Sequence, residues 1–242
     1  CTPVVVGEKN SNYNLVLEEI ADDLRSELIY ADEAFALGEC GFADGKQVVT
    51  MTRTRDGYPY QLRLDLLGEY QRQNLATVAT VLDALHETTP LSISRRAFVE
   101  GVRDVCALTS FRGRWQVLSE RPLVVCDTAH NEHGIAEVAK QLKNRTNSGA
   151  LICVMGFCED KDFSKMLSQM PSDAHYIFTQ ASIRRAASVD KISEVALSLG
   201  LDFEVAPTVE EAVVKAQSQL SEDDMLFIGG STFVVAEVLD RL

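Results

Sequence analysis

From about Phe111 onward, short apolar runs alternate with amphipathic stretches. WQVL, LVVCD, ALICVMG, HYIFTQ, DFEVA and MLFIGG are interspersed with IAEVAKQLKN, FSKMLSQM, VDKISEVALSLG, VEEAVVKAQSQL and TFVVAEVLDRL. Continuous apolar strands between helices whose apolar residues recur every three or four positions predict βαβ units. Such units build a mostly parallel, Rossmann-like sheet with helices on both faces. The pattern before Phe111 differs. PVVVGE reads as a strand and NYNLVLEEIADDLRSEL as a helix carrying Leu15, Leu17, Ile20, Leu24 and Leu28 at helical spacing. IYADEAFAL, KQVVTMTRTR and YQLRLDLL alternate or are rich in β-branched residues. The turn signals DGK and RDGYP punctuate them, which predicts strands that are partly antiparallel. QRQNLATVATVLDALHE and ISRRAFVEGVRDV return to helical spacing. The change of rhythm places a domain boundary near residues 109–112, giving an α/β domain over 1–110 and a second over 111–242.

The chain has 242 residues, 46% of them hydrophobic, which is enough to build two modest cores. No apolar run approaches the roughly 20 residues that span a bilayer, and no basic segment leads into an apolar one at the start, so a cytoplasmic, non-membrane protein is expected. A formal net charge of −13 argues against nucleic acid as a partner, because counterion release needs a basic face. Six cysteines lie far apart, mostly within apolar runs and without metal-ligand spacing, and are expected to be reduced. The chain opens on Cys1 and runs almost at once into a strand, as a piece of a longer protein would.

In an open parallel sheet, ligands bind at the carboxyl ends of the strands. Three such ends carry polar or glycine-rich residues: Cys126-Asp127-Thr128-Ala129-His130-Asn131, Gly156-Phe157-Cys158-Glu159-Asp160-Lys161-Asp162, and Gly229-Gly230-Ser231-Thr232. The two glycines of the third allow backbone to approach a ligand, and Ser231 suits a helix cap whose free N–H groups favour an anion. Taken alone, a plain strand-to-helix turn with a Ser cap explains them better. Asp127 is placed like the carboxylates that accept ribose hydroxyls in dinucleotide folds. Asn131 reads as the cap of the helix that follows. On spacing alone, Asp127 and His130 are explained as well by turn geometry as by a ligand. Arg112 and Arg114 bring permanent cations to the domain junction, and Arg184-Arg185 forms a second basic pair after HYIFTQ. No G-x-x-x-x-G-K-[ST] is present, since Gly45-Lys46 continues into Gln47. There is no G-x-S-x-G and no zinc ligand set.

Taken in order, PVVVGE (3–8), GEYQRQN (68–74), GRWQVL (113–118), PLVVCDTAHNEHG (122–134), MGFCEDKD (155–162) and LFIGGSTFVVAEVL (226–239) resemble the folylpolyglutamate synthase/dihydrofolate synthase family of the Mur ligase superfamily. Tyr70-Gln71, where other Mur ligases typically have His-Asn, favours the folate branch. The resemblance implies an enzyme that uses ATP and Mg2+ to phosphorylate the carboxylate of dihydropteroate or of a folate. The amine of L-glutamate then displaces phosphate to form an amide. It implies an adenine contact for Asn74, a phosphate contact for Arg114 and a ribose contact for Asp127. His130 and Ser231 are implied at the glutamate or acyl-phosphate region, with Arg114 and His130 serving catalysis.

Residues 1–110 would be the C-terminal part of a truncated central ATP-binding domain, and 111–242 the glutamate ligase domain. The P-loop and metal ligands would lie upstream of PVVVGE, ATP would lie between the domains, and the fragment alone would be inactive. The full-length protein would act as a monomer on small molecules. Two other readings stay open at this level. One is a Mur-type ligase acting on cell-wall precursors, and the other a non-catalytic nucleotide-binding α/β module.

Overall fold

KQVVTMTR becomes the middle strand of an antiparallel meander because Gln47, Val49 and Met51 all face inward, while an Asp44-Gly45 turn with both residues at positive φ folds the preceding strand back on it. The computed structural model describes residues 2–144 and 149–241, which divide into one compact unit ending at Phe111 and another starting at Arg112. Among the described residues no helix is long and apolar enough to cross a membrane.

In the first unit, β1 (Val4–Val6), α1 (Asn14–Asp23) and β2 (Leu28–Tyr30) form a βαβ turn with the strands parallel. IYADEAFAL, expected as one strand, is instead divided. Ala31–Ala34 makes a single helical turn, α2, before β3 (Phe35–Ala43). Two alanines flanking Asp32 and Glu33 favour helix over strand, and the Asp32 carboxylate accepts the Lys9 N–H at 3.0 Å.

The meander continues through β4 (Lys46–Arg53) and β5 (Tyr58–Leu64), and α3 (Gln71–Thr88) covers it. Val49, Met51, Leu62 and Leu64 pack there against Leu75, Ala76 and Ala79. ISRRAFVEGVRDV also divides, into α4 (Arg95–Arg103) and α5 (Val105–Thr109). The Asp65 carboxylate, arriving from the end of β5, accepts the N–H groups of Val105 and Cys106 at 3.1 and 2.8 Å and so starts a new helix.

One polar side chain in this core sets the approach to α3. Gln47 is fully buried. Its Nε2 donates to the carbonyls of Leu66 and Gly68 at 2.6 and 2.8 Å, and its Oε1 accepts from Arg72 Nε at 3.2 Å.

The second unit carries β6 (Gln116–Glu120), β7 (Leu123–Cys126), α6 (Glu132–Lys143), β8 (Leu151–Met155), α7 (Phe163–Gln169), β9 (His175–Phe178), α8 (Val189–Ser198), β10 (Asp202–Val205), α9 (Val209–Gln219), β11 (Met225–Gly229) and α10 (Thr232–Leu239). Its six-stranded sheet has the order β10-β9-β8-β11-β7-β6, parallel except that β6 runs against β7. Every residue of β8 and β11 is buried, as expected of strands covered on both faces. The crossovers β7→β8→β9→β10 step one way along the sheet and β10→β11 steps back. With right-handed connections, α6, α7 and α8 lie on one face and α9 on the other, where α10 packs beside α9. Loops leaving β8 and β11, which are neighbours, therefore turn to opposite faces and open a crevice at their carboxyl ends.

At the other end of the sheet Asp224 ties strand starts together. Its two carboxylate oxygens accept the N–H groups of Ala150 and Ser221, each at 2.7 Å. These backbone donors, Ser221 first, hold its carboxyl below the usual carboxylate range.

Two outcomes follow for stability. Gln47→Leu leaves two carbonyls unpaired in the core and should cost about 1–3 kcal/mol in a urea titration. For Asp224→Asn, the deficit relative to wild type should be full above about pH 5 and shrink as the pH falls through the depressed folded value, because a carboxylate favoured by folding stabilises only while ionised. A deficit independent of pH between 2 and 7 on the order of the error would refute the carboxylate's role.

Candidate functional site

The loop after β7 is built around a buried charge. Asp127 is 1% exposed, its Oδ2 accepts the Trp115 N–H at 2.7 Å, and its Oδ1 accepts the Ala129 N–H at 2.8 Å. Its own N–H donates to the Ile228 carbonyl at 3.0 Å, and the Thr128 N–H donates to the Gly113 carbonyl at 2.9 Å. The Gly113-Arg114-Trp115 turn is thereby locked to residues 127–129. Gly113 sits at φ 82° and Trp115 at φ 43°, an uncommon conformation for a bulky residue, held here by the Asp127 hydrogen bond and by packing of the indole near Phe227. A Cβ on Gly113 would lie 2.9 Å from Thr128 Cγ2, so glycine serves this contact as well as the turn.

Arg114 projects from the middle of this locked turn, half-buried, and its guanidinium forms no ion pair or hydrogen bond among the described residues. His130 is exposed, with Nδ1 3.0 Å from the Thr128 carbonyl oxygen. Asn131 caps α6 by accepting the Gly134 N–H at 2.8 Å, as the spacing predicts. Burial, followed by the charge of Asp127, pushes the neighbouring Cys126 thiol up to about 12, so it stays neutral beside the carboxylate.

The glycine-rich end of β11 packs against both neighbouring loops. A Cβ on Gly229 would fall 2.9 Å from the Asp127 carbonyl oxygen, and one on Gly230, at φ 84°, would fall 2.8 Å from the Gly156 carbonyl oxygen. These glycines let backbone approach backbone, not only a ligand. Ser231 is 2% exposed and caps α10 by accepting the Phe233 N–H at 3.2 Å, with the Cys158 Sγ 3.8 Å from its Oγ. Asp162 caps α7 through the Lys165 N–H at 3.3 Å, and Lys161 pairs with Asp160 at 3.4 Å. One corner of the second sheet thus gathers Arg114, Asp127, His130 and Ser231. It offers a guanidinium and an imidazole to an anion, while the carboxylate and the serine hydroxyl hold backbone.

Asn74 belongs to the first unit, in the opening turn of α3. It is exposed and its Nδ2 donates to Gln71 Oε1 at 2.9 Å. The roles of three residues that shape the loops, Gln47, Trp115 and Cys158, are not assigned by sequence alone. Gln47 was visible as an amide on the apolar phase of β4. Trp115 and Cys158 carried no such signal, because a backbone N–H and a thiol contact depend on partners 12 and 73 residues away. Among the described residues no three His, Cys, Asp or Glu side chains come together to hold a metal ion.

Residues 113–232 match the family described as Mur ligase, glutamate ligase domain. The chain is 29% identical over 237 residues to a Haloferax volcanii protein named "probable bifunctional folylpolyglutamate synthase/dihydropteroate synthase", covering 97% of this chain and 27% of that relative. It is 24% identical over 182 residues to the Bacillus subtilis dihydrofolate synthase/folylpolyglutamate synthase, covering 75% of this chain and 41% of that one. Among solved structures, folylpolyglutamate synthase of Mycobacterium tuberculosis complexed with ADP shares the fold at a TM-score of 0.83 and 22% identity, covering 97% of this chain and 54% of that chain. The chain therefore spans 27 to 41% of these two curated relatives. Residues 113–232, most of the second unit, thus match the glutamate ligase domain of Mur ligases, and the chain as a whole is similar to folylpolyglutamate synthase/dihydrofolate synthase proteins.

Proposed function

We propose that the whole protein is an ATP-dependent ligase that adds L-glutamate to dihydropteroate, to folate polyglutamate, or to both. The observation that carries this reading is the locked pair of loops, G-R-W-Q and D-T-A-H-N, in a glutamate ligase domain. In this reaction an acceptor carboxylate oxygen attacks the γ-phosphorus of ATP and the bond to ADP breaks. The glutamate amine then attacks the acyl carbon, forming the C–N bond as phosphate leaves and the nitrogen loses its proton.

Residues up to Phe111 form part of the ATP-binding domain, with Asn74 contacting adenine. Arg114, fixed between two left-handed residues and lacking an internal partner among the described residues, meets the nucleotide phosphates. Asp127 holds the turn that aims Arg114 and lies at the strand end where the ribose would sit. His130, exposed beside that turn, meets the incoming glutamate or the acyl phosphate, and the buried Ser231 serves the same region by fixing the start of α10. The nucleotide assignment draws support from the relative complexed with ADP. Among the described residues no side-chain grouping fits Mg2+. Such chemistry on free metabolites suits the cytoplasm.

The direct test incubates the whole protein with ATP, L-glutamate and either dihydropteroate or a folate, and looks for the glutamylated product by mass spectrometry together with ADP and phosphate. Failure to form amide with either acceptor, under conditions where ATP is bound, would overturn the proposal. Arg114→Ala should raise the KM for ATP roughly 10- to 100-fold, the loss expected for a charge-assisted contact, with little change in the thermal midpoint.

A further inference from the structure

A cavity of about 370 Å3 opens in the first unit between the last turns of α3, strands β3 to β5 and the start of α4. His86, on its wall, stands about three turns of α3 beyond Asn74, roughly 18 Å away along the helix axis. The floor is aromatic. Tyr60 packs edge-on against Phe35, Tyr58 and Phe98, with ring centroids 6.1, 5.2 and 6.0 Å apart. Ring contacts in three directions fix the Tyr60 side chain, so this wall is formed before any ligand arrives.

Three guanidinium groups and one carboxylate line the same space. Two of the cations are neutralised. Arg53 pairs with Asp56 at 2.7 Å and with Asp83 at 3.2 Å, and Arg55 pairs with Asp83 at 3.4 Å and with Glu87. Arg95 differs from both. Its guanidinium lies 4.6 Å from the centroid of the Tyr58 ring and 5.6 Å from that of Tyr60, and among the described residues it meets no carboxylate and no hydrogen-bond acceptor. It also opens α4, directly after the Ser94 cap, at the helix end where positive charge is disfavoured. Arg96 beside it is compensated by Glu100 at 2.8 Å, but the first turn of α4 holds no acidic residue for Arg95. The Tyr58 and Tyr60 hydroxyls and the His86 ring likewise make no hydrogen bond among the described residues.

We propose that this cavity binds a small aromatic carboxylate, its charge on Arg95 and its ring against Ile93, Leu82 and Phe98. Stacking on the tyrosines occupies the face of the guanidinium and leaves its in-plane N–H groups free, a fork that matches a carboxylate with two parallel hydrogen bonds. The bound anion takes the place of the acidic residue that the first turn of α4 lacks. Aromatic and aliphatic walls select a flat apolar body over a bare ion. The tyrosine hydroxyls and His86 supply the few polar groups that orient such a ligand in a mainly apolar pocket.

The test is calorimetric titration of benzoate into the wild-type protein and its Arg95→Ala, Arg95→Lys and Ile93→Trp variants, with benzamide and inorganic phosphate as matched probes. Benzoate should saturate a single site, and Arg95→Ala should weaken it at least about tenfold, with Arg95→Lys keeping the attraction but losing the fork and falling between. Benzamide has the ring without the charge and phosphate the charge without the ring, so each should bind at least about tenfold more weakly than benzoate. Ile93→Trp, which fills the cavity from an exposed position, should weaken benzoate with the guanidinium intact. Arg95 and Ile93 are both exposed, and an unchanged urea midpoint in each variant confirms that folding is not the cause. Absence of saturable binding up to about 10 mM benzoate, or full affinity in either Arg95→Ala or Ile93→Trp, would overturn the proposal. Phosphate binding as tightly as benzoate would overturn it too, reducing the site to a general anion patch. So would displacement of benzoate by ADP, which would put the probe at a nucleotide site.

Discussion

A buried carboxylate is the constraint on which the candidate site depends. Taking Asp127 out of water is costly unless each oxygen finds donors, and here the donors are the N–H groups of Trp115 and Ala129. Satisfying the charge therefore forces two segments into contact, the turn before β6 and the loop after β7. The same hydrogen bond stabilises Trp115 in a left-handed conformation that a bulky residue ordinarily avoids. Arg114 has its direction as a consequence, because both of its neighbours are immobilised. Loss of the carboxylate would release the turn itself, so Asp127 positions Arg114 through the backbone it holds.

Around that charge, the ends of four strands, β7, β8, β9 and β11, are brought closer than side chains allow. Gly156, Gly229 and Gly230 would each place a Cβ within 3 Å of a neighbouring carbonyl oxygen. Absence of a side chain thus lets the loops after β7, β8, β9 and β11 stack directly. Since the connections after β8 and β11 turn to opposite faces, the stack borders a crevice and does not fill it. Sheet topology supplies the opening, and the glycines bring its rim together.

The first unit uses the same device on a neutral group. Gln47 replaces an apolar residue on the inner face of β4 and spends its amide on the carbonyls of Leu66 and Gly68, which shapes the entry to α3 and so the setting of Asn74. Asp65 does likewise for α5. In both units, a polar side chain buried by the core becomes the fixed point for a loop that carries exposed candidate residues. Polar networks of this kind specify one arrangement because the alternatives leave donors or acceptors unpaired.

The periodicity of the chain by itself determined most elements of both units, including the mostly parallel sheet after Phe111, because apolar runs and amphipathic helices are local properties of consecutive residues. The caps Asn131 and Ser231 were equally legible, a short polar side chain before an apolar helical run having few other uses. The breaks at Ala31–Ala34 and at Asp104 were not, since helix propensity over one turn and a cap borrowed from Asp65 both escape a window of periodicity. Tertiary structure alone decided that β6 runs antiparallel, that Asp127 and Ser231 turn inward while His130 stays exposed, and that Arg185 is stacked on Phe233. Those outcomes are set by hydrogen-bond donors and rings arriving from distant segments, and the distance between such groups is a property of the folded chain, not of their spacing along it.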